Sequence, residues 1–280
     1  MTEITKLTFT KMHGLGNDFV VLDARKHPIL MDAGLAKGIA DRRLGIGCDQ
    51  ILIIEPATEE GADVFMRILN ADGGEVDACG NGTRCVAALV MAETGAEQVK
   101  IQTNIGILEA TAGEEGYVAV DMGPPDLDWQ AIPLAEEADT MALELSVGDL
   151  SDPVAVNVGN PHAVFFVEDV TSVPLEELGP EIENHAMFPE RTNVEIAQML
   201  PDGSIRLRVW ERGVGITRAC GTGACAALVA ASRREFSPRH AIIILDGGAL
   251  GIEWREDNHV VMVGPVASSF IGAIDPSLMG

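Results

Sequence analysis

Apolar positions along the chain either alternate with polar ones or run together for only a few residues. In the first half that pattern predicts strands at KLTFTKM (6–12), DFVVLD (18–23), QILIIE (50–55), DVFMRILN (63–70), VKIQT (99–103), GILEAT (106–111) and YVAVDM (117–122). LAKGIADRR (35–43) predicts a short helix. A longer one is predicted from Asn81 to Glu93, stopped by Gly95. Two prolines in MGPPDLDW (122–129) break the pattern, because proline cannot donate to a strand ladder.

After the break the theme returns. PVAVNVG (153–159), HAVFFVE (162–168), TNVEIAQ (192–198), SIRLRVW (204–210), AIIIL (241–245), LGIEW (250–254) and HVVMVG (259–264) predict strands. Helices are predicted at Leu175–Asn184 and from Thr222 to Glu235. A last strand, ASSFIGAI (267–274), is expected to return to the first half. Each half is mostly strand with one long helix, and the two halves share landmarks. Cys79 and Cys220 lie 141 positions apart, and at that offset Arg67 meets Arg208, Asn70 meets Glu211, Gly74 meets Gly215 and Gly82 meets Gly223. Gly16-Asn17 and Gly159-Asn160 echo one another at an offset of 143. Two landmarks at nearly one spacing point to a duplicated half-chain.

The repeat places a cysteine at the mouth of each long helix, followed by Gly-x-Gly. A helix entrance exposes several backbone N–H groups and the positive end of the helix dipole. Both favour thiolate, so each thiol is expected below its ordinary pKa of about 8.5. The glycines let the backbone approach a ligand, and the bare amides suit a carboxylate. Two such entrances would serve stereoinversion at a carbon bearing a carboxylate. One thiolate would remove the α-proton and the other thiol would deliver one to the opposite face.

Composition narrows the alternatives. The 280 residues carry 43 acidic and 19 basic side chains, a net charge of −24, which repels nucleic acid and anionic membrane surfaces. No apolar run approaches the ~20 residues that span a bilayer, and MTEITKLTFTKMHG lacks an apolar leader, so a cytoplasmic setting is expected. The five cysteines are an odd count, consistent with reduced thiols. Cys48, Cys85 and Cys225 read as buried small hydrophobes. The in-helix spacings Cys-x5-Cys and Cys-x4-Cys are not zinc spacings, so no metal is expected. None of Lys6, Lys11, Lys26, Lys37 and Lys100 has a Schiff-base setting, so no pyridoxal cofactor is indicated either. Two other readings stay open on the residues alone. GTGACA with Asp246 resembles a dinucleotide fingerprint, although ten residues separate it from the preceding strand. A regulatory disulfide between Cys79 and Cys220 is the other.

KMHGLGNDFVVLD, GIGCDQ, NADGGEVDACGNGTRC, VGNPHAV, TNVEI and ERGVGITRACGTGACAA stand in an order that resembles the diaminopimelate epimerase family, from near residue 11 to at least 230. The resemblance implies an α+β fold of two pseudo-symmetric domains, each a mostly antiparallel barrel-like sheet around a central helix. The first would comprise residues 1–123 plus 266–280, the second 124–265, with the active site in the cleft between them. It implies cofactor-independent epimerisation of LL- to meso-diaminopimelate, with Cys79 and Cys220 as catalytic bases. The amides of Gly80, Asn81, Gly221 and Thr222 would hold the reacting carboxylate. Asn17, Gln50, Asn70, Asn160, Asn193, Glu211 and Arg212 would recognise the substrate, with His162 on the site wall or bonded near a cysteine. The partner implied is a small molecule, with a homodimer allowed for. Racemases of other amino acids, proline or histidine, share the architecture and form the alternative. The resemblance departs at Ile216, where the family often has Glu, and at Gly74, where Ser is common. Asp18, Asp72 and His13 read as turn or structural residues.

Overall fold

The computed structural model describes residues 7–77 and 79–275. Lys6, Ala78 and residues 276–280, assigned above to the first strand, the first cysteine loop and the first domain, lie outside them. In chain order the first elements are β1 (Thr8–Gly14), β2 (Asn17–Asp23), α1 (Ala33–Ala40), β3 (Gln50–Pro56), β4 (Val64–Asn70) and β5 (Glu75–Val76). Next come α2 (Gly80–Thr94), β6 (Gln98–Thr103), β7 (Gly106–Ala112) and β8 (Tyr117–Asp121). A small ribbon of β9 (Ser146–Val147) and β10 (Leu150–Ser151) precedes β11 (Val154–Asn157) and β12 (Pro161–Phe166). The chain continues through α3 (Leu175–Glu183), β13 (Asn193–Met199), β14 (Ile205–Glu211), β15 (Gly215–Thr217) and α4 (Gly221–Arg233). It ends with β16 (His240–Leu245), β17 (Gly248–Trp254), β18 (Val260–Pro265) and β19 (Ala267–Ala273).

The chain forms two compact units. One runs to Val120 and resumes at Gly264; the other is Asp121–Val263. Both changeovers fall slightly ahead of the expected 123/124 and 265/266. Asp121 is held inside the second unit by Arg255 and by His259 Nδ1 at 2.7 and 2.8 Å. The final strand β19 pairs antiparallel with β1 in the first unit.

The duplication is written in the strand registers. In the first unit β2 pairs parallel with β3, β3 antiparallel with β4, β4 antiparallel with β5, and β4 parallel with β6. In the second, β12, β13, β14, β15 and β16 repeat those pairings in the same senses. Individual partners correspond as well: Phe19↔Gln50 matches His162↔Asn193, and Ile68↔Val76 matches Val209↔Thr217. Both sheets are therefore antiparallel with parallel joints.

Each sheet is covered on both faces, which explains the continuous apolar runs at DFVVL and QILII. In the first unit Val20, Leu22, Ile51 and Ile53 face α1 together with Ala36 and Ile39. The alternate residues face α2, which packs on β1, β2, β3, β6 and β7. In the second unit Phe165, Val194 and Ile196 share a core with Leu175 and Ile182 of α3, while α4 packs on β11–β14, β16 and β17. Ten residues of α4 and ten of α2 are buried, so these central helices lack the amphipathic stripe of a surface helix. Among the described residues no helix is long and apolar enough to cross a membrane.

Two helix ends and one residue role differ from the sequence reading. α1 stops at Ala40 because the Asp41 carboxylate takes the amides of Arg43 and Leu44, turning the chain. α4 ends at Arg233, and Glu235 adopts φ +60°. Asp18 is more than a turn residue. It joins Lys11 and Arg42 in an ion cluster with the Asp49 amide. Burial opposes its ionisation, yet the bonds from Arg42 and Lys11 outweigh that and hold its pKa at about 2. Asp72 is a turn residue, its carboxylate accepting from Gly74 N–H at 2.8 Å.

Gly95 ends α2 in the left-handed conformation, at φ +73°, with its amide on Met91 O. A side chain there is strained, so Gly95→Ala should lower unfolding stability by about 1 kcal/mol in urea titrations, with an unchanged m-value.

Candidate active site

Both helix mouths are built alike. Cys79 is the N-cap of α2, extended at φ −152°, and its sulfur accepts from Gly82 N–H at 3.4 Å. Cys220 is the N-cap of α4 at φ −116°, with Sγ accepting from Gly223 N–H at 3.3 Å. The following amides, Thr83 and Ala224, bond the cysteines' own carbonyls at 2.8 and 3.0 Å. Gly80 with Asn81, and Gly221 with Thr222, hold the first two helical positions, where a helix has no carbonyl of its own to offer its N–H groups. A side chain at the third position would be crowded in each helix. A Cβ on Gly82 would sit 3.1 Å from the Leu52 methyls; one on Gly223 would sit 2.9 Å from Glu195 Oε1 and 3.2 Å from Cys220 Sγ.

In the first unit, amides surround the thiol. Cys79 Sγ lies 3.9 Å from Asn17 Oδ1, which also accepts from Asn81 Nδ2 at 3.2 Å. Asn17 Nδ2 donates to Asp49, and Asn81 Oδ1 accepts from the buried Arg84 at 2.9 Å. Gln50 Nε2 donates to Asn70 Oδ1 at 2.9 Å across the β3–β4 register pair. Five of the sequence-selected residues (Asn17, Gln50, Asn70, Cys79 and Asn81) thus fall into two bonded groups within one unit.

In the second unit, charge surrounds the thiol. His162 and Glu195 are wholly buried, with Nδ1 and Oε1 2.7 Å apart; His162 Nε2 lies 2.8 Å from Asn160 Oδ1. Glu211 accepts from Thr217, and the Cys220 thiol reaches Thr222 Oγ1 at 3.5 Å. Asn193 bonds the backbone on both sides. It donates to Pro161 O at 2.8 Å and accepts from Arg212 N–H at 2.9 Å, so it fixes where Arg212 leaves β14. The Arg212 guanidinium donates to Glu190 O at 3.0 Å. Ile216 is an exposed strand residue opposite Trp210.

The expectation of a lowered thiol pKa fails for Cys220. Burial pushes it well above its ordinary value, the Glu211 and Glu195 carboxylates add to that, and the bonds from Thr222 and Gly223 only partly oppose it. Glu211 is itself raised by burial, against the bonds from Thr217 and Cys220. Cys220 therefore rests as a neutral thiol. The helix mouth alone suggested thiolate; burial, with the two carboxylates remote in sequence acting the same way, reverses the balance. Cys48 and Cys85 are buried, with pKa values pushed up by desolvation to about 11 and about 12, as inert core thiols are. Cys225 is buried too.

Two features escaped the sequence reading. Glu195 lay inside TNVEI as a strand residue, and only its inward register reveals it; an acidic residue in an otherwise apolar strand was the available signal. Arg84 is fully buried behind Cys79 in α2. The dinucleotide reading fails. α4 follows an antiparallel strand, β15, and Asp246 is ion-paired to Arg206.

The profile of the diaminopimelate epimerase family matches residues 9–127 and 154–268. The chain is 55% identical over 271 residues to the diaminopimelate epimerase of Rhodospirillum centenum, covering 97% of this chain and 93% of that one. It is also 55% identical over 271 residues to that of Acidiphilium cryptum, covering 97% of each. Among solved structures it resembles a hydroxyproline epimerase from Agrobacterium vitis with a TM-score of 0.70 at 15% identity, covering 99% of this chain and 95% of that one. A Bacillus anthracis phenazine biosynthesis protein of the PhzF family gives 0.66 at 15% identity, covering 97% and 100%. Likeness at that identity is a likeness of fold, and it agrees with the paired, repeated α+β architecture.

The Cys220 pKa carries a sign that can be tested. Glu211→Gln removes a carboxylate that disfavours the thiolate, so alkylation of Cys220 by iodoacetamide should begin at lower pH than in the wild type. Peptide mass spectrometry across a pH series reads this, and an unmoved or higher onset would contradict the assignment.

Proposed function

This chain belongs to the diaminopimelate epimerase family, and from that membership we propose that it interconverts LL- and meso-diaminopimelate without a cofactor, using Cys79 and Cys220 as its two bases. The observation that carries the reading is the repeated cap, a thiol sulfur bonded to the third amide of each central helix.

In the LL direction one thiolate takes the α-hydrogen. The Cα–H bond breaks, an S–H bond forms, and the electron pair spreads into the substrate carboxylate. The amides of Gly80, Asn81, Gly221 and Thr222 are proposed to receive that charge, as helix N-termini receive anions. The other sulfur gives its proton to the opposite face. Cys220 suits that donor role, because burial and the neighbouring carboxylates keep it protonated. With Cys220 as the acid, Cys79 is proposed as the base, its sulfur accepting from Gly82 N–H. The reverse reaction exchanges the roles.

The distal end of the substrate is a second amino-acid head. Arg212 is proposed to meet its carboxylate and Glu211 its ammonium, with Asn17, Gln50, Asn70, Asn160 and Asn193 setting orientation. The partner in this reading is the small-molecule substrate, the setting cytoplasmic, and a homodimer is the assembly to test by sedimentation.

Replacing either thiol, Cys79→Ala or Cys220→Ala, should cut epimerisation of LL-diaminopimelate by about a thousandfold or more while leaving the melting temperature near the wild-type value. In D₂O the wild type should place solvent deuterium at the inverted carbon. Full activity in Cys79→Ala would refute the two-base scheme. Turnover of proline or histidine without turnover of diaminopimelate would transfer the assignment to another amino-acid racemase.

A further inference from the structure

The matched registers of the two units set Phe19 opposite His162 in the repeat, and Leu52 opposite Glu195. Packing agrees. Leu52 and Glu195 are the side chains that crowd the third glycine of α2 and of α4 respectively. All four residues are wholly buried. In the first unit this floor beneath the helix mouth is therefore Phe and Leu, and in the second it is His and Glu. The fold accepts the apolar version, and a buried ion pair is seldom the more stabilising choice. The polar pair thus needs a reason beyond filling the core.

The hydrogen bonds supply one. His162 Nε2 lies 2.8 Å from Asn160 Oδ1, and a carboxamide oxygen only accepts, so Nε2 carries the proton. A second proton lies between Nδ1 and Glu195 Oε1, 2.7 Å apart, and that bond fixes the ring's orientation; among the described residues Glu195 Oε2 has no partner. The other titratable groups nearby are Glu211 on β14 and the Cys220 thiol at the mouth of α4. With Oδ1 committed to the ring, Asn160 turns its Nδ2 donors away from it. Asn17, its counterpart, is set the other way: its Nδ2 is taken by Asp49 and its Oδ1 faces Cys79 and Asn81. One duplicated asparagine presents an acceptor, the other donors.

We propose that Glu195 is a positioning residue, holding His162 as a donor to Asn160 so that Asn160 offers N–H groups to an anionic group of the substrate. The inference deepens the proposed function and rests on its placing Asn160 against substrate.

The double variant H162F/E195L installs the pair already present under α2. It should fold, with a melting temperature close to wild type, and raise KM for LL-diaminopimelate about tenfold with a smaller change in kcat. Asn160→Ala should cost the wild type about tenfold in kcat/KM and the double variant less than about twofold, since Asn160 is then no longer oriented. An unchanged KM, or an undiminished Asn160→Ala penalty in the double variant, overturns the proposal. A second measurement needs neither substrate nor a variant that folds. In ¹⁵N-histidine-labelled wild type, His162 should show a slowly exchanging Nε2–H with contacts to the Asn160 carboxamide. A bare Nε2 overturns the proposal even in an active enzyme. Lack of diaminopimelate turnover with that proton present overturns only the proposed substrate.

Discussion

The bond from the third helical amide to a cysteine sulfur, made once in each half of the chain, is the constraint on which the rest depends. In both caps the cysteine is extended, the next residues enter the helix at once, and the third position has little room for a side chain. For the helix mouth to matter chemically, the helix must be enclosed, and both central helices are buried along most of their length by strands on several sides. In each unit a parallel joint sets β3 alongside β2 and β13 alongside β12, with Gln50 and Asn193 at the register pairs nearest the asparagine turns.

Within that common frame the two mouths differ in electrostatics. The first has carboxamides around its sulfur, and the second has Glu195, Glu211 and His162. The backbone caps are built alike, so what distinguishes the two mouths is the side chains set beside each sulfur by neighbouring strands. Desolvation dominates for Cys220, and the carboxylates act in the same direction. Burial and charge at the second mouth keep the Cys220 thiol protonated.

Stability and chemistry are drawn from separate layers. The outer cores, Ile39 with Ile51 and Ile53 in one unit and Leu175 and Ile182 with Ile196 in the other, lie on the face of each sheet away from Cys79 and Cys220. Ion clusters such as Lys11–Asp18–Arg42 tie loops to strands. The inner face can then carry buried polar groups, costly by themselves, without the fold depending on them.

The strands, the two long helices and the duplication were legible because each rests on local pattern: short apolar runs, Gly95 after a helix, and cysteine-glycine landmarks at one offset. So were the two thiols and the paired asparagines, since a cap and its glycine are neighbours in sequence. The protonation state of Cys220 was not legible, because the burial that chiefly sets it is no property of a motif, and the carboxylates that reinforce it come from β13 and β14. Nor was the role of Glu195, whose inward direction depends on register across three strands, or the use of Asn193 as a strap on Arg212. The sequence by itself determined where the thiols and amides would stand, because capping is local. Only the tertiary structure decided which charges surround each thiol, because electrostatics acts through space.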